Sequence, residues 1–255
     1  MRDILNCFIP LPRVFLSPEI DSAERRFEWC KIASKDLQAY LIKQAWAHNF
    51  GLSNNAEGNV IGKMFGILVV STEQNEIGYI SAFSGKLAGS NQHARFVPPV
   101  FDALTENSFL NIGMTELASI NNEIAMLEQN ASENSDEIEF LKSERRDHSI
   151  ALQQKLFENY SFLNQAGHEL NLIEIFQKAG YKNPPSGAGE CAAPKLLQFA
   201  FQNKLKPLAL AEFWWGLSPK SETWKHGEFY PSCKEKCEPI LNHMLTGLDD
   251  LIFLI

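Results

Sequence analysis

The sequence predicts an α/β or α+β protein: a layered sheet with flanking helices, interrupted by an inserted antiparallel helical hairpin. Three observations carry this expectation. Residues 64–70 (MFGILVV) and 77–83 (IGYISAF) are rich in β-branched and aromatic residues, and the polar run 71–76 between them reads as a turn. A third apolar run, 207–215 (PLALAEFWW), reads as a buried strand. Between the hairpin and that strand, residues 115–163 show helical spacing twice, so the order of elements is strand, strand, helical insertion, helix, strand, helix.

Each element follows from local pattern. Phe27, Ile32, Leu37, Leu41 and Trp46 recur at roughly helical intervals, which predicts a helix from about Ser22 to Ala47. Gly85, Gly89, Ser90 and Asn91 break the second strand, and Val97-Pro-Pro-Val100 is extended, so residues 83–102 form a long polar loop. Lys86, Asn91, His93 and Arg95 concentrate hydrogen-bonding capacity there, making them candidate RNA or ligand contacts. Ile120, Ile124 and Leu127 define one helical face, Asn130–Ser135 supplies a turn, and Ile138, Leu141, Leu152 and Leu156 resume the face. Arg145 and His148 interrupt the stripe, which favours a short arm over a sustained coiled coil. A short helix over 170–182 ends at Gly180, a loop follows over 183–189, residues 191–203 read as a helix, and a final helix is expected near Pro231. The organisation is therefore a body built from 1–114 and 164–255, with an arm over 115–163.

Composition bounds the class. A chain of 255 residues that is 45% hydrophobic, 21% charged and 11% aromatic is long enough for a core and excludes wholesale disorder or a disulfide mini-scaffold. The N-terminus carries Pro10, Pro12 and Arg13 where a signal peptide needs an apolar run, and no window offers the roughly 18 apolar residues of a membrane helix. A cytoplasmic protein is expected, so Asn130-Ala-Ser and Asn159-Tyr-Ser are read as chance sequons. The net charge of −8 is uneven: residues 115–160 hold ten Asp/Glu and four Lys/Arg, a balance of −6 that leaves −2 elsewhere. The arm is acidic, and the body is free to carry a basic patch.

Motif logic removes the commonest chemistries. Gly58-Asn-Val-Ile-Gly-Lys-Met64 is one residue short of a P-loop and lacks the Ser/Thr that holds Mg²⁺. No G-x-S-x-G, H-E-x-x-H or G-x-G-x-x-G string occurs. Five cysteines at scattered spacing argue for free thiols or metal ligands in a reducing compartment. Cys191 opens one expected helix, and Cys233 and Cys237 lie four apart at the start of another. Three thiolates favoured by helix N-termini make a candidate zinc site, against the plainer reading of buried cysteines as small hydrophobes.

Two resemblances follow. Gly189-Glu-Cys-Ala-Ala-Pro-Lys195 and Pro231-Ser-Cys-Lys-Glu-Lys-Cys237 resemble the metal-binding stretches of the zinc-dependent nucleobase deaminases, which begin H/C-x-E and P-C-x-x-C. Ala193 stands where that family carries its proton-shuttling glutamate, and the second stretch has one extra residue on each side of Cys233. Some other acid/base is then required near the metal, with Glu190, Glu212 and His226 as candidates. A longer set of strings, including GYISAFSGKLAGSN (78–91), FVPPVFD (96–102), GAGECAAPKLLQFAFQNKLKPLALAEFWWG (187–216) and HGEFYPSCKEKCEPILNHML (226–245), resembles the N-terminal region of bacterial RluA-family pseudouridine synthases. That family isomerises uridine with an aspartate in an H-R-L-D motif, which is missing from these residues.

The resemblance implies an accessory domain in an RNA-modification setting, assisting ribosomal or transfer RNA recognition or serving a synthase domain in trans. Lys195, Lys204, Lys206, Lys220, Lys225 and Lys234 lie near Phe213, Trp214, Trp215, Trp224 and Tyr230, and Trp214, Trp215 and Lys220 are the candidate RNA contacts of this basic, aromatic mixture. The plainer alternative packs the Trp pair in the core. A zinc-dependent deaminase-like hydrolase and a protein-interaction module acting through the acidic arm are the other two readings.

Overall fold

The computed structural model describes residues 4–12, 22–52, 57–105, 107–130, 134–248 and 252–254. The reading of the N-terminus as something other than a signal peptide falls largely outside these residues, as do part of the 130–135 turn and the Asn130 sequon. The chain divides into two compact units, one of residues 1–100 and 161–255 and one of residues 101–160. Among the described residues no helix is long and apolar enough to cross a membrane.

The first unit begins with a helical turn, α1 (Ile4–Cys7), a two-residue strand, β1 (Ile9–Pro10), and the long helix α2 (Ala23–Lys43). Ser22 caps α2 by accepting the Arg25 N–H at 3.3 Å, and Glu24 and Lys43 complement the dipole at the two ends. The helix stops at Gln44, whose backbone is extended, and the Trp46 indole N–H satisfies the otherwise orphaned Leu41 carbonyl at 3.1 Å. Strands β2 (Lys63–Ser71) and β3 (Ile77–Phe83) form the expected hairpin. Its turn is held by Thr72 and Glu76, with Thr72 N–H to Glu76 O at 2.9 Å and Asn75 in the left-handed region at φ 60°.

The second unit holds α3 (Phe109–Leu127) and α4 (Ser135–Glu158), which form the expected helical hairpin. Helix α3 starts six residues before the predicted boundary at Thr115, because Ser108 caps it by accepting the Asn111 N–H at 3.1 Å. Gly113 sits inside α3 where Leu152 packs close; a Cβ there would lie 2.7 Å from Leu152 Cδ1. Ile124, Ile138 and Leu141 form this unit's own small core.

The chain then returns to the first unit. Residues 161–182, read as the end of the arm and one helix, are a small two-stranded sheet, β4 (Ser161–Leu163) with β5 (Glu169–Asn171), followed by α5 (Leu172–Lys178). Asn171 and Glu174 form a reciprocal capping box that sets where α5 begins. Helix α6 (Ala192–Gln202) and strand β6 (Lys206–Trp215) agree with the expected pattern. The last helix, α7 (Glu238–Met244), starts seven residues after Pro231; Pro239, not Pro231, occupies its first turn. A final strand, β7 (Ile252–Leu254), pairs in parallel with β6.

The main sheet has the order β1-β3-β2-β6-β7 and is antiparallel except at β6–β7. The two faces of β2 alternate, as a strand must. Phe65, Ile67 and Val69 join Leu37, Ala33 and Cys30 of α2 in one core. Full burial of each such large apolar side chain contributes roughly 1.5–3 kcal/mol. Gly66 lies on the opposite face, where a Cβ would meet Ala192 Cβ at 2.8 Å, Leu196 Cδ1 at 3.0 Å and Glu212 Cγ at 3.6 Å. This glycine and the two alanines opening α6 let the helix N-terminus settle against the sheet beside Glu212. The protein is thus an α+β layered fold, with α2 on one face of the sheet and α6 on the other.

Candidate metal centre

The site is built where α6 and α7 begin. Gly187 and Gly189, at φ 77° and 88°, turn the chain into Cys191, the N-cap of α6. N-caps are normally Ser, Thr, Asp or Asn, whose side chains accept a helix N–H. Cys191 makes no such bond. The missing acceptor comes from the neighbouring strand: Glu212 Oε1 accepts the Ala193 N–H at 3.2 Å, and its Oε2 accepts the Ser232 hydroxyl at 2.7 Å. Cys237 is the N-cap of α7 and again makes no side-chain cap bond. Two helices therefore start at thiols that do not cap them.

Residues 226–237 are carried to this point by β6. The Glu228 carbonyl accepts the Trp214 N–H, the Glu212 carbonyl accepts the Tyr230 N–H, and Phe229 bridges Phe213. The chain arrives beside Glu212 with Ser232 and Cys233 next in line. Cys233 lies in the approach to α7 and not within the helix, a correction to the expected geometry. Its carbonyl accepts the N–H groups of Cys237 and Glu238 at 3.1 and 3.2 Å, so the two cysteines still bracket one tight turn.

The Cys237 side chain is buried and lies close to the Cys191 thiol, which acts on its titration as a hydrogen-bonding neighbour. That interaction, burial, and the nearby negative charges of Cys191, Glu212 and Cys233 all raise the pKa of Cys237, so without a cation it stays a thiol. Glu212 is 4% exposed, and burial raises its pKa against the opposing bonds from Ser232 and Ala193. A buried thiol whose pKa is raised by neighbouring thiols and a carboxylate is an environment that a divalent cation relieves. Cys191 is half-buried and Cys233 exposed, which leaves the cluster open on one side. Among the described residues, no three His, Cys, Asp or Glu side chains are drawn together in a metal-holding arrangement.

Two lysines flank the cluster, and neither stands out in the sequence as part of it. Lys195, grouped by pattern with surface lysines, is 4% exposed; its ammonium donates to Phe83 O at 2.9 Å and Gly85 O at 3.2 Å. Burial lowers its pKa to about 8, against the favourable charges of Glu190 and Cys191. Lys63, at the start of β2, is likewise lowered by burial and supported by Glu190. Glu190 thus serves the lysines, and its backbone carbonyl accepts the Gly85 N–H at 2.9 Å. The readable signal for Lys195 was a lysine inside an otherwise apolar helical run. For Ser232 there was none.

The other candidate residues lie apart from this cluster or turn inward. His226 Nδ1 accepts the Gly216 N–H at 3.0 Å, and its ring packs 4.3 Å from that of Trp215, so its contacts are at the far end of β6. Trp215 is 4% exposed and packs in the core. Trp214 is half-buried, stacked on Trp224 at 5.5 Å, with Tyr230 edge-on to Trp224 at 4.6 Å. In the long loop, His93 bonds the Leu87 carbonyl at 2.6 Å, and Arg95 pairs with Asp36 and Tyr79 while lying 4.7 Å over the Tyr40 ring. Lys86 and Lys220 are exposed, and Asn91 is half-buried.

Comparison of the whole chain with protein-family models, with curated proteins and with solved structures finds no match.

Proposed function

We propose that this chain is a zinc-holding accessory domain of the kind that accompanies RluA-type pseudouridine synthases, assisting RNA recognition without isomerising uridine itself. The observation that carries the zinc is the pair of uncapped helix starts. Cys191 and Cys237 occupy N-cap positions, make no cap bonds, and meet each other, while Glu212 takes over the capping of α6. A side chain kept out of the role its position favours marks a functional constraint more often than a packing one. Cys191, Cys233 and Cys237 are the residues that would hold the ion, which would bind them as thiolates and offset the burial and nearby charge that keep Cys237 protonated without it.

The RNA setting is supported by the surface of the last third of the chain. Lys204, Lys206, Lys220, Lys225 and Lys234 are exposed, and the half-buried Trp224 and Tyr230 lie edge to face close in sequence to Lys220 and Lys225. Such a mixture suits a backbone-tracking, base-stacking contact. Trp215 takes no part in it.

Metal analysis of the purified, reduced protein tests this reading. About one zinc per chain is expected, lost in both Cys191→Ser and Cys237→Ser. A metal-free protein whose variants behave like the parent would sink it.

One observation favours a hydrolase as a second reading. The Glu212 carboxylate is bonded to the backbone N–H of Ala193, the position at which the deaminases carry their glutamate. The strand thus delivers a carboxylate to the place where the helix lacks one. Zinc, when bound, would supply a Lewis acid that activates water. Glu212 would hold or release the proton at Oε1 or Oε2, and Ser232 would orient it. Ammonia release from a cytidine- or adenosine-containing single-stranded RNA oligonucleotide, abolished in Glu212→Gln with zinc retained, is the expected result; no release from the zinc-loaded parent rejects this reading alone.

A further inference from the structure

The helical unit leaves one face uncovered. Its core is a single stripe, Ile124, Ile138 and Leu141 with Ile120 and Leu127 packed against it. Met114 and Ile150 remain 55% and 59% exposed. With Leu117 they form the apolar part of an open groove of about 740 Å³ between α3 and α4, whose basic part includes Lys142 and Arg146. A basic groove is unexpected in a segment whose balance is −6.

The order of charge along α4 indicates what fills it. Glu139, Lys142, Arg146 and Ile150 follow one another at intervals of three and four residues, so they share one face of the helix. Read from the N-terminus, that face passes from acid to base. A second α4 laid antiparallel reverses the order and sets each Glu139 against the other copy's Arg146, two attractive pairs against one contact between the two Lys142 side chains at the dyad. A parallel pairing sets like against like, so charge selects the antiparallel arrangement. Arg146 is available for re-pairing: its neighbour Asp147 lies 3.8 Å away, and both side chains are about 70% exposed, a pair that contributes little. The arm's general negative charge opposes association, but at physiological ionic strength the screening length is about 8 Å, so close pairs and apolar burial decide.

We propose that this groove is a self-association surface, on which a second copy of the chain docks its α4 antiparallel, covers Met114 and Ile150, and pairs Glu139 with Arg146 twice. The geometry is isologous and closes as a dimer.

Sedimentation velocity of the full chain over rising concentration provides the test. The mass is expected to rise from 28.8 kDa towards twice that value. Arg146→Glu or Glu139→Arg alone should weaken the dimer at least about tenfold, since each puts like charges in contact twice. The double exchange of Glu139→Arg with Arg146→Glu should restore it, because the order is then merely reversed. Ile150→Glu should dissociate the dimer with helical circular dichroism unchanged. A chain that stays monomeric throughout, a single reversal that leaves the dimer intact, or a double exchange that fails to restore it overturns the proposal. So does an Arg146-dependent binding of single-stranded RNA by a monomeric protein.

Discussion

At the scale of single residues, Glu212 ties the site together. It caps a helix in another element, accepts Ser232, and lies beside Cys237, all while 4% exposed. Replacing it with Ala leaves the Ala193 N–H without its acceptor, and loss of such a cap costs about 1–2 kcal/mol. Denaturant unfolding of Glu212→Ala should show that loss, and Glu212→Gln, which keeps one acceptor oxygen, should lose less. Lys195 is the second residue with a predictable role. Its ammonium links α6 to the end of β3 through the Phe83 and Gly85 carbonyls, so Lys195→Ala orphans two acceptors and is expected to destabilise the fold by about 2–4 kcal/mol. The histidines supply the pH dependence. Burial lowers the pKa of His226 below 6.5, and its Nδ1 must keep a lone pair to accept the Gly216 N–H. His48 is lowered mainly by burial as well, with Lys63 adding to the shift and the bond to Ile61 opposing it. Between each folded pKa and 6.5 the unfolded chain binds more protons, so stability rises with pH across that window and is lost as pH falls through it. Between about pH 5.5 and pH 7 the urea midpoint should rise with pH, and less steeply in His226→Asn.

At the scale of elements, what was legible in the sequence depended on how locally each element is determined. Strands β2 and β3 carry their own β-branched run and a turn closed by Thr72 and Asn75, so their limits were readable within a residue. Helix α6 was readable from its apolar run, but its start beside Glu212 was not. That contact depends on Gly66, which lies far earlier in the chain, well outside any local window. Strands β4, β5 and β7 have three residues each and are strands only because a partner lies beside them. The start of α7 was misplaced because two prolines, Pro231 and Pro239, both satisfy the rule for a helix N-terminus, and only the pairing of Tyr230 with Glu212 excludes the first. The three cysteines were legible as types in a pattern, and Glu212 stood among the candidate acid/base residues beside them; the lysines were not legible as their neighbours, since β2 and the 83–85 turn bring them in from far along the chain. Gly66 gives this scale its prediction. Gly66→Ala places a methyl 2.8 Å from Ala192 Cβ and 3.0 Å from Leu196 Cδ1, so the start of α6 must shift. Overpacking of this kind costs typically 1–3 kcal/mol, and the thermal midpoint should fall accordingly. The same shift moves Cys191, so if this residue holds zinc as proposed, zinc affinity should fall with it, a coupling that a purely local packing defect would not produce.

At the scale of the whole molecule, the two units keep separate cores. One cluster of the body runs from Trp29 and Leu37 through Phe65 and Ile67 to Phe213, and one of the arm joins Ile124, Ile138 and Leu141 with their neighbours. The arm interrupts the body's chain between Val100 and Ser161. It also holds most of the net negative charge, which is why the global value of −8 is a poor guide to what the body binds. If each unit is held by its own core, residues 101–160 can be replaced by a flexible Gly-Ser linker with little effect on the body. The closure term is small, since doubling a loop's length changes it by only about 0.6 kcal/mol. The shortened protein should therefore unfold in one cooperative transition within a few degrees of the parent and retain its metal content. Its far-ultraviolet circular dichroism should lose helix in proportion to α3 and α4. Loss of the cooperative transition would mean that the body's core depends on the arm, and the two-unit description would have to be abandoned.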